Sequence, residues 1–191
     1  MKLFISIIFI LLFSNFNKTL ADNHDQVVFW DQSSGGWDIY IDTTIDYGCF
    51  AHMEWKGNTQ MRFGFDPTVD SMYITISDSD WRSLQVGKDY DLQIEFDNSQ
   101  PWTTTAQAIT LDGINSLYFT FYEQDFIAEF AKKHSIYVTY NNKEIAYLDL
   151  KGSYEAVIDL ALCQDQLDSY YNDGTEDPFN NNSSKSADPF I

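Results

Sequence analysis

Basic residues are scarce in this chain of 191 residues, in which 11 lysines and arginines stand against 29 aspartates and glutamates and the formal net charge is −18. A field of that sign repels nucleic-acid phosphates and anionic lipid headgroups. The composition therefore argues against nucleic-acid binding and favours cationic partners. The simpler interpretation is that the acidity only keeps the protein soluble, and charge alone identifies no ligand.

Motifs that carry chemistry are also missing. The three histidines, at positions 24, 52 and 134, form no His-x-x-x-His or Cys/His cluster, so a zinc site has no support. There is no Gly-x-Ser-x-Gly elbow and no phosphate-binding glycine loop. Asp78 and Asp80 have the spacing that begins a calcium loop, but the later glycine and glutamate are absent, which favours an ordinary turn. The sequence predicts a protein without catalytic activity, metal or cofactor.

The apolar run at the N-terminus is too short to span a membrane. It extends from Leu3 to Phe13, follows Lys2, and precedes a polar stretch that leads to Ala21. A membrane-spanning helix needs roughly 20 apolar residues, whereas a short run followed by a small residue is typical of a secretory signal peptide. We therefore expect residues 1–21 to be a cleaved signal peptide and the protein to be periplasmic or secreted. An uncleaved N-terminal anchor is the alternative.

Cysteine occurs only twice, as Cys49 and Cys163, and both positions follow the predicted signal peptide. Because an exported protein meets an oxidising environment, we expect the two to form a disulfide. In the chain-entropy description, a loop of this length stabilises the fold by at most about 4–5 kcal/mol. A redox dithiol is the alternative, but there is no Cys-x-x-Cys motif and no flanking basic residue to activate a thiol.

Aromatic and aliphatic residues are abundant, at 44% hydrophobic content, which is enough for a folded core. Apolar and polar residues alternate repeatedly from Val27 onward, and turn signals separate the alternating runs. This pattern predicts about eight or nine antiparallel strands in a sandwich or half-barrel. The predicted strands are 37–43, 49–55, 61–65, 72–76, 92–96, 103–111, 117–122, 136–140 and 145–150.

Two segments follow a helical period instead. Asp125 is placed to cap a mid-chain helix that ends at Lys132-Lys133. Ser153 is placed to cap a C-terminal helix in which Cys163 lies on the apolar stripe, so that a disulfide would tie this helix to the strand of Cys49. The predicted fold class is α+β, mainly antiparallel β, in a single domain over residues 22–168.

Apolar residues become rare after residue 168, and the sequence predicts a disordered, acidic and Asn-rich tail over 169–191. The tail contains the same tripeptide twice, as Asp177-Pro178-Phe179 and as Asp188-Pro189-Phe190. Two copies in so short a segment suggest a docking motif whose phenylalanine anchors in a partner's groove. Coincidence is an alternative of equal weight.

Aromatic residues on the outward faces of the predicted strands are the candidate binding residues. An open sheet face of aromatics and hydroxyls suits contact with a protein loop or stacking on sugar rings. The alternative, which we favour from the sequence, is that a second packed layer buries these side chains. The candidates are Phe50, His52, Tyr73, Tyr118, Tyr122 and Tyr137.

Three segments together resemble a recurring pattern in uncharacterised small exported proteins of proteobacteria. They are Cys49-Phe50-Ala51 after a strand, Phe96-Asp97 to Pro101-Trp102-Thr103 leading to Ala106, and Gly152-Ser153 with Ala156, Leu160 and Cys163-Gln164. The resemblance covers about residues 37–164. It implies a periplasmic address and a disulfide, and it transfers no activity.

These features predict an exported, non-catalytic binding protein of the cell envelope, whose partner is another envelope or extracellular protein. After signal cleavage we expect no membrane-spanning segment. A glycan-binding module is the first alternative, and it would present coplanar Tyr and Trp rings on one exposed face. A small carboxylate-dependent envelope hydrolase is less favoured, because it would need an acid buried in a cleft beside aromatics.

Overall fold

One antiparallel sheet of ten strands forms the body of the protein in the computed structural model, which describes residues 26–172. The order across the sheet is β1-β2-β3-β4-β5-β8-β7-β6-β9-β10. The β1–β5 meander is joined through the β5–β8 pair to the β6–β8 meander, and the β9–β10 hairpin pairs with β6. The predicted signal peptide and both Asp-Pro-Phe copies lie outside the described residues. The strands are β1 (Val27–Gln32), β2 (Asp38–Asp42), β3 (Gly48–Glu54), β4 (Thr59–Asp66), β5 (Ser71–Asp78), β6 (Asp89–Phe96), β7 (Trp102–Leu111), β8 (Ile114–Phe121), β9 (Ser135–Tyr140) and β10 (Lys143–Asp149).

Strand β1 is the one that the sequence did not predict, and it raises the count to ten rather than eight or nine. Its residues Val27 to Trp30 are consecutive and apolar, and a bulge shifts the β1–β2 register between Phe29 and Asp31. A bulge adds one residue to a strand and so interrupts the period-two alternation by which strands are recognised. The opposite edge strand, β10, also has a register shift, between Glu144 and Ala146. Bulges of this kind twist an edge away from pairing with other chains.

The sheet curls around a single core instead of splitting into the two separate sheets of a sandwich. Residues from β2 through β10 belong to one buried hydrophobic cluster. The Trp37 indole donates a hydrogen bond to the carbonyl of Lys151 at 3.1 Å, and the Trp55 indole donates to the carbonyl of Asp149 at 3.1 Å. These bonds connect the β2–β3 region to the end of β10, although β10 lies at the opposite edge in the strand order of the sheet. The architecture is therefore an open, curled sheet, the half-barrel alternative.

Two helices pack on the inner face of this sheet, as the sequence predicted. Helix α1 (Gln124–Lys132) buries Phe126 and Phe130 in the core. Its N-cap is Glu123 rather than Asp125, which lies in the first turn, where its charge suits the helix dipole. None of the helices in residues 26–172 has the length and apolar content to cross a membrane.

Helix α2 (Ser153–Asn172) continues four residues past the predicted domain limit at 168. Its first residue joins the helices in an unexpected way, because the Ser153 hydroxyl donates to the Phe130 carbonyl at 2.7 Å instead of capping its own helix. The bond satisfies a carbonyl near the C-terminal end of α1. The predicted Cys49–Cys163 disulfide is confirmed, with Cα atoms 6.2 Å apart. Beside it the Cys49 amide donates to the Gln164 side-chain oxygen at 2.9 Å.

Candidate functional site

The outer face of β1 to β5 carries a continuous set of aromatic side chains, which we call the aromatic row. Strand register places Phe29 opposite Tyr40, Tyr40 opposite Phe50, Phe50 opposite Gly64, and Gly64 opposite Tyr73. Residues directly opposite one another in antiparallel strands are close enough for their side chains to touch. The strand pairing therefore forms the row without any help from loops.

Ring contacts bury the middle of the aromatic row. Tyr40 stacks on Phe50 with centroids 5.4 Å apart and ring planes 19° apart, and Phe29 meets Tyr40 edge-on at 5.5 Å. The Arg62 guanidinium lies 4.6 Å from the centroid of Phe50, within cation–π range. Phe50 is consequently 1% exposed and Tyr73 4% exposed, whereas Phe29 at the edge is 56% exposed. Neighbours on the same face, rather than a second sheet, cover these rings.

Gly64 allows strands β3 and β4 to lie close together within the aromatic row. A Cβ at this position would lie 2.5 Å from the Phe50 Cβ and 2.6 Å from the Cys49 carbonyl oxygen. Glycine in a strand commonly marks a place where another chain segment approaches closely. Here the missing side chain leaves room for the Cβ and backbone of Phe50 on the neighbouring strand.

A second cross-strand line beside the aromatic row is polar and includes a charge pair. Register aligns His52 with Arg62, Arg62 with Thr75, and Thr75 with Tyr118. Arg62 forms an ion pair with Asp112, and its side chain is only 12% exposed. The Thr75 hydroxyl is buried and has no hydrogen-bond partner among the described residues. Because a buried hydroxyl without a partner is costly, this is a place where a bound group could supply one.

Burial sets the protonation of the polar groups on this face. It raises the pKa of Tyr73 far above its usual range, and with Asp66 nearby it raises the pKa of Tyr118 to about 12. The Tyr118 hydroxyl donates to the Asp66 carboxylate at 3.3 Å. Burial, with the charge of Arg62, lowers the pKa of His52 below its ordinary 6.5. At neutral pH both phenols and the imidazole are therefore uncharged, and the Tyr118 hydroxyl is already engaged by Asp66.

Four of the six candidate residues meet on this face, namely Phe50, His52, Tyr73 and Tyr118. Tyr122 lies apart, 68% exposed at the junction of β8 and α1. Tyr137 contacts Tyr147 at 4.7 Å on the β9–β10 hairpin. Their binding role stays a prediction. Three further members of the face were not predicted from the sequence, namely Phe29, Tyr40 and Arg62. Period-two alternation in Asp38-Ile39-Tyr40 would have identified Tyr40.

The outer face of β6 and β7, in the other half of the sheet, is polar. Strands β6, β7 and β9 line a shallow depression of about 470 Å³, where Asp91 accepts a hydrogen bond from the Thr105 hydroxyl at 3.0 Å. Gln93 and Thr103 lie opposite each other in the adjoining register position. No aromatic side chain lines this depression. The aromatic row is thus specific to one half of the fold.

The carboxylates that sequence reasoning singled out, or that have a shifted pKa, are structural. Asp78 accepts from the amide of Asp80 at 2.8 Å, which is the ordinary turn that was favoured over a calcium loop. Burial would raise the pKa of Asp97, but hydrogen bonds from the amides and side chains of His134 and Ser135 outweigh it and bring the pKa to about 2. Asp97 therefore fastens the start of β9. Residues 26–172 contain no group of three or more potential metal-ligating side chains.

Comparison with known proteins identifies a similar fold and no family. No protein-family model and no curated protein matches the chain. Among solved structures, the crystal structure of invasion associated protein B from Bartonella henselae is similar, with a TM-score of 0.53 and 11% sequence identity. The match covers 72% of this chain and 99% of that chain. At this identity the likeness shows that the two proteins share a fold.

Proposed function

We propose that this chain is an exported, non-catalytic binding protein of the cell envelope and that its aromatic row binds a cationic segment of another protein. The observation that carries the proposal is the aromatic row itself, an ordered set of rings on a sheet face that both described helices leave uncovered. Aromatic side chains dominate the energetics of protein interfaces, since they bring large apolar area at low entropic cost. The outer face of β6 and β7 has no such rings, so the fold does not require them.

Carboxylates around the aromatic row favour a positively charged partner. Asp38 lies beside Tyr40 on the same face of β2 and is partly exposed. Asp42 on β2 and Asp66 on β4 are buried and add negative field beneath the face. The basic side chain at the centre, Arg62, is already paired with Asp112. Lysine and arginine side chains can place their charge against the carboxylates and over the ring faces. The net charge of −18 would steer such a partner from a distance.

A glycan-binding module is the weaker alternative. It requires coplanar, exposed Tyr and Trp rings, yet every tryptophan packs against the hydrophobic core. Trp37 is fully buried, and the other four are half-buried on the inner side. Within the aromatic row, only Phe29 and Tyr40 are accessible enough to contact a sugar ring. The hydrolase alternative has less support, because the lowered pKa of Asp97 comes from structural hydrogen bonds.

The proposal is tested with the full chain carrying Phe29→Ser and Tyr40→Ala, which remove the accessible end of the aromatic row. Tyr147→Ala is the matched control, since Tyr147 is another exposed outer-face tyrosine (54%), on β10. Partners captured from envelope extract by the wild-type chain are identified and their affinities measured. We expect the row variant to weaken binding about tenfold or more and the control to leave it unchanged.

Ionic strength gives a second readout of the same proposal. Binding of a cationic segment to this acidic face should weaken as salt is raised from about 0.05 to 0.3 M, because the charges are screened. An equal loss of binding in the row variant and in the control would contradict the assignment of the surface. Binding that is insensitive to salt would contradict the cationic partner.

A further inference from the structure

A groove of about 550 Å³ opens where the β4–β5 turn, the β8–α1 junction and the last turns of α2 meet. We call it the terminal groove and define it by its apolar floor of Phe65, Met72, Phe121 and Ile127. Tyr122, which is 68% exposed, forms part of its rim. A mostly apolar concavity of this size is large enough to hold an aromatic side chain with its flanking backbone.

A polar atom in the terminal groove lacks a partner. Ser71 is only 8% exposed and lines the groove, and its hydroxyl makes no hydrogen bond within the described residues. The neighbouring Gln164 is already engaged, because its amide nitrogen donates to Asp168 at 3.0 Å and its oxygen accepts from Cys49. A buried hydroxyl without a partner is costly. An occupant that offers an acceptor to Ser71 would remove that cost.

The C-terminal end of helix α2 lies beside this groove. Gln164 and Asp168 of α2 line it, and α2 ends at Asn172, one helical turn further on. Nineteen residues follow, 173–191, and Phe179 is the seventh of them. Seven extended residues span up to roughly 25 Å, which is ample for a return to a groove that borders the same helix. A tether this short also gives an effective concentration on the order of millimolar.

From this placement we propose that the first Asp-Pro-Phe copy of the chain, Asp177-Pro178-Phe179, docks in the terminal groove. The Phe179 ring lies on the floor of the groove, and a backbone carbonyl of the tripeptide accepts a hydrogen bond from Ser71. Pro178 suits the role because a residue before proline favours an extended conformation, which lowers the entropy lost on docking. Proline also lacks an N–H, which leaves no unpaired backbone donor at that position in the groove.

Repulsion between carboxylates opposes this docking and gives it a characteristic salt dependence. Asp66, Asp70 and Asp168 line the groove, and the docking segment is itself acidic. Asp66 accepts hydrogen bonds from Thr68, so its charge is partly compensated. Burial of the ring must therefore outweigh repulsion between carboxylates, and added salt should strengthen the docked state. Partner binding at the aromatic row has the opposite salt dependence, so the two proposals can fail independently.

The test is photo-crosslinking of the full chain with p-benzoylphenylalanine in place of Phe179, followed by peptide mapping by mass spectrometry. We expect intramolecular crosslinks to the segments of Met72 and Ile127, with a yield that rises between about 0.05 and 0.3 M salt. The same photoreactive residue at Asn182, a polar position in the same segment, is the matched control and should give at least about fivefold less of these products. No partner protein is needed.

Groove variants complete the test. Tyr122→Ser alters an exposed rim residue and Ser71→Ala removes the unpartnered hydroxyl, and each should lower the crosslink yield from position 179 by about threefold or more. Circular dichroism and retention of the disulfide establish that these variants fold. Crosslinks that join two chains, that map outside the terminal groove, or that are as frequent from position 182 would overturn the proposal. A complete absence of crosslinks from position 179 would overturn it as well.

Discussion

The inner and outer faces of this one sheet bury aromatic rings by different means. On the inner face, Phe63 lies parallel to Phe130 with centroids 4.2 Å apart, beneath a helix that the Ser153 hydrogen bond and the disulfide-linked α2 help to hold in place. On the outer face, Phe50 is almost as inaccessible, yet its cover consists of Tyr40 and the long side chain of Arg62. The exposed fraction of a side chain alone therefore does not separate a core residue from a residue of a binding site. The two differ in whether the side chains that cover the ring can move aside.

The largest expected effect compares these two phenylalanines directly. Phe63→Ala leaves a cavity in a core closed by other elements, and we expect it to lower the free energy of unfolding by about 4 kcal/mol. Phe50→Ala removes the same side chain, but Tyr40, Arg62 and water can move into the space, so about 2 kcal/mol is expected. Urea unfolding of the two variants measures both values. Equal losses would show that the outer face is as rigidly packed as the inner one.

An intermediate effect is expected at Gly64, whose missing side chain makes room for the Cβ and backbone of Phe50 on the neighbouring strand. In Gly64→Ala the added Cβ would meet Phe50 and the Cys49 carbonyl below 3 Å, so one strand or the ring must shift. Overpacking of this kind costs about 1–3 kcal/mol. The same variant should also weaken partner capture, because the displaced ring breaks the aromatic row, and thermal unfolding with the capture assay tests both. Normal stability together with normal capture would contradict the close packing of the row.

The inner face could be predicted from the sequence much better than the outer one. Alternation identified nine strands, and the helical stripe with Cys163 led correctly to the disulfide, because burial against a core imposes a strict period on the sequence. Strand β1 was missed since its bulge breaks that period. On the outer face the same alternation placed Phe50 and Tyr73 outward but could not show what covers them. Their neighbours across the sheet, Tyr40 and Arg62, follow from strand register, which a single sequence does not specify.

The smallest expected effect concerns the protonation of His52 on the outer face, and it tests whether that face is desolvated. Burial first, and then the charge of Arg62, lower the pKa of this imidazole below 6.5 in the folded chain. The unfolded state therefore binds a proton more readily than the folded state. The stability that His52 contributes is complete above the unfolded pKa of about 6.5 and is lost as the pH falls through the folded pKa.

In His52→Gln this pH dependence disappears, because glutamine does not titrate. We expect the unfolding free energy of the wild-type chain to fall more steeply than that of the variant below pH 6.5, with the difference constant above that pH. Chemical denaturation between about pH 8 and 5 at fixed salt measures the two curves. Parallel curves across this range would mean that water reaches His52 freely and that the covering of the outer face is too loose to exclude it.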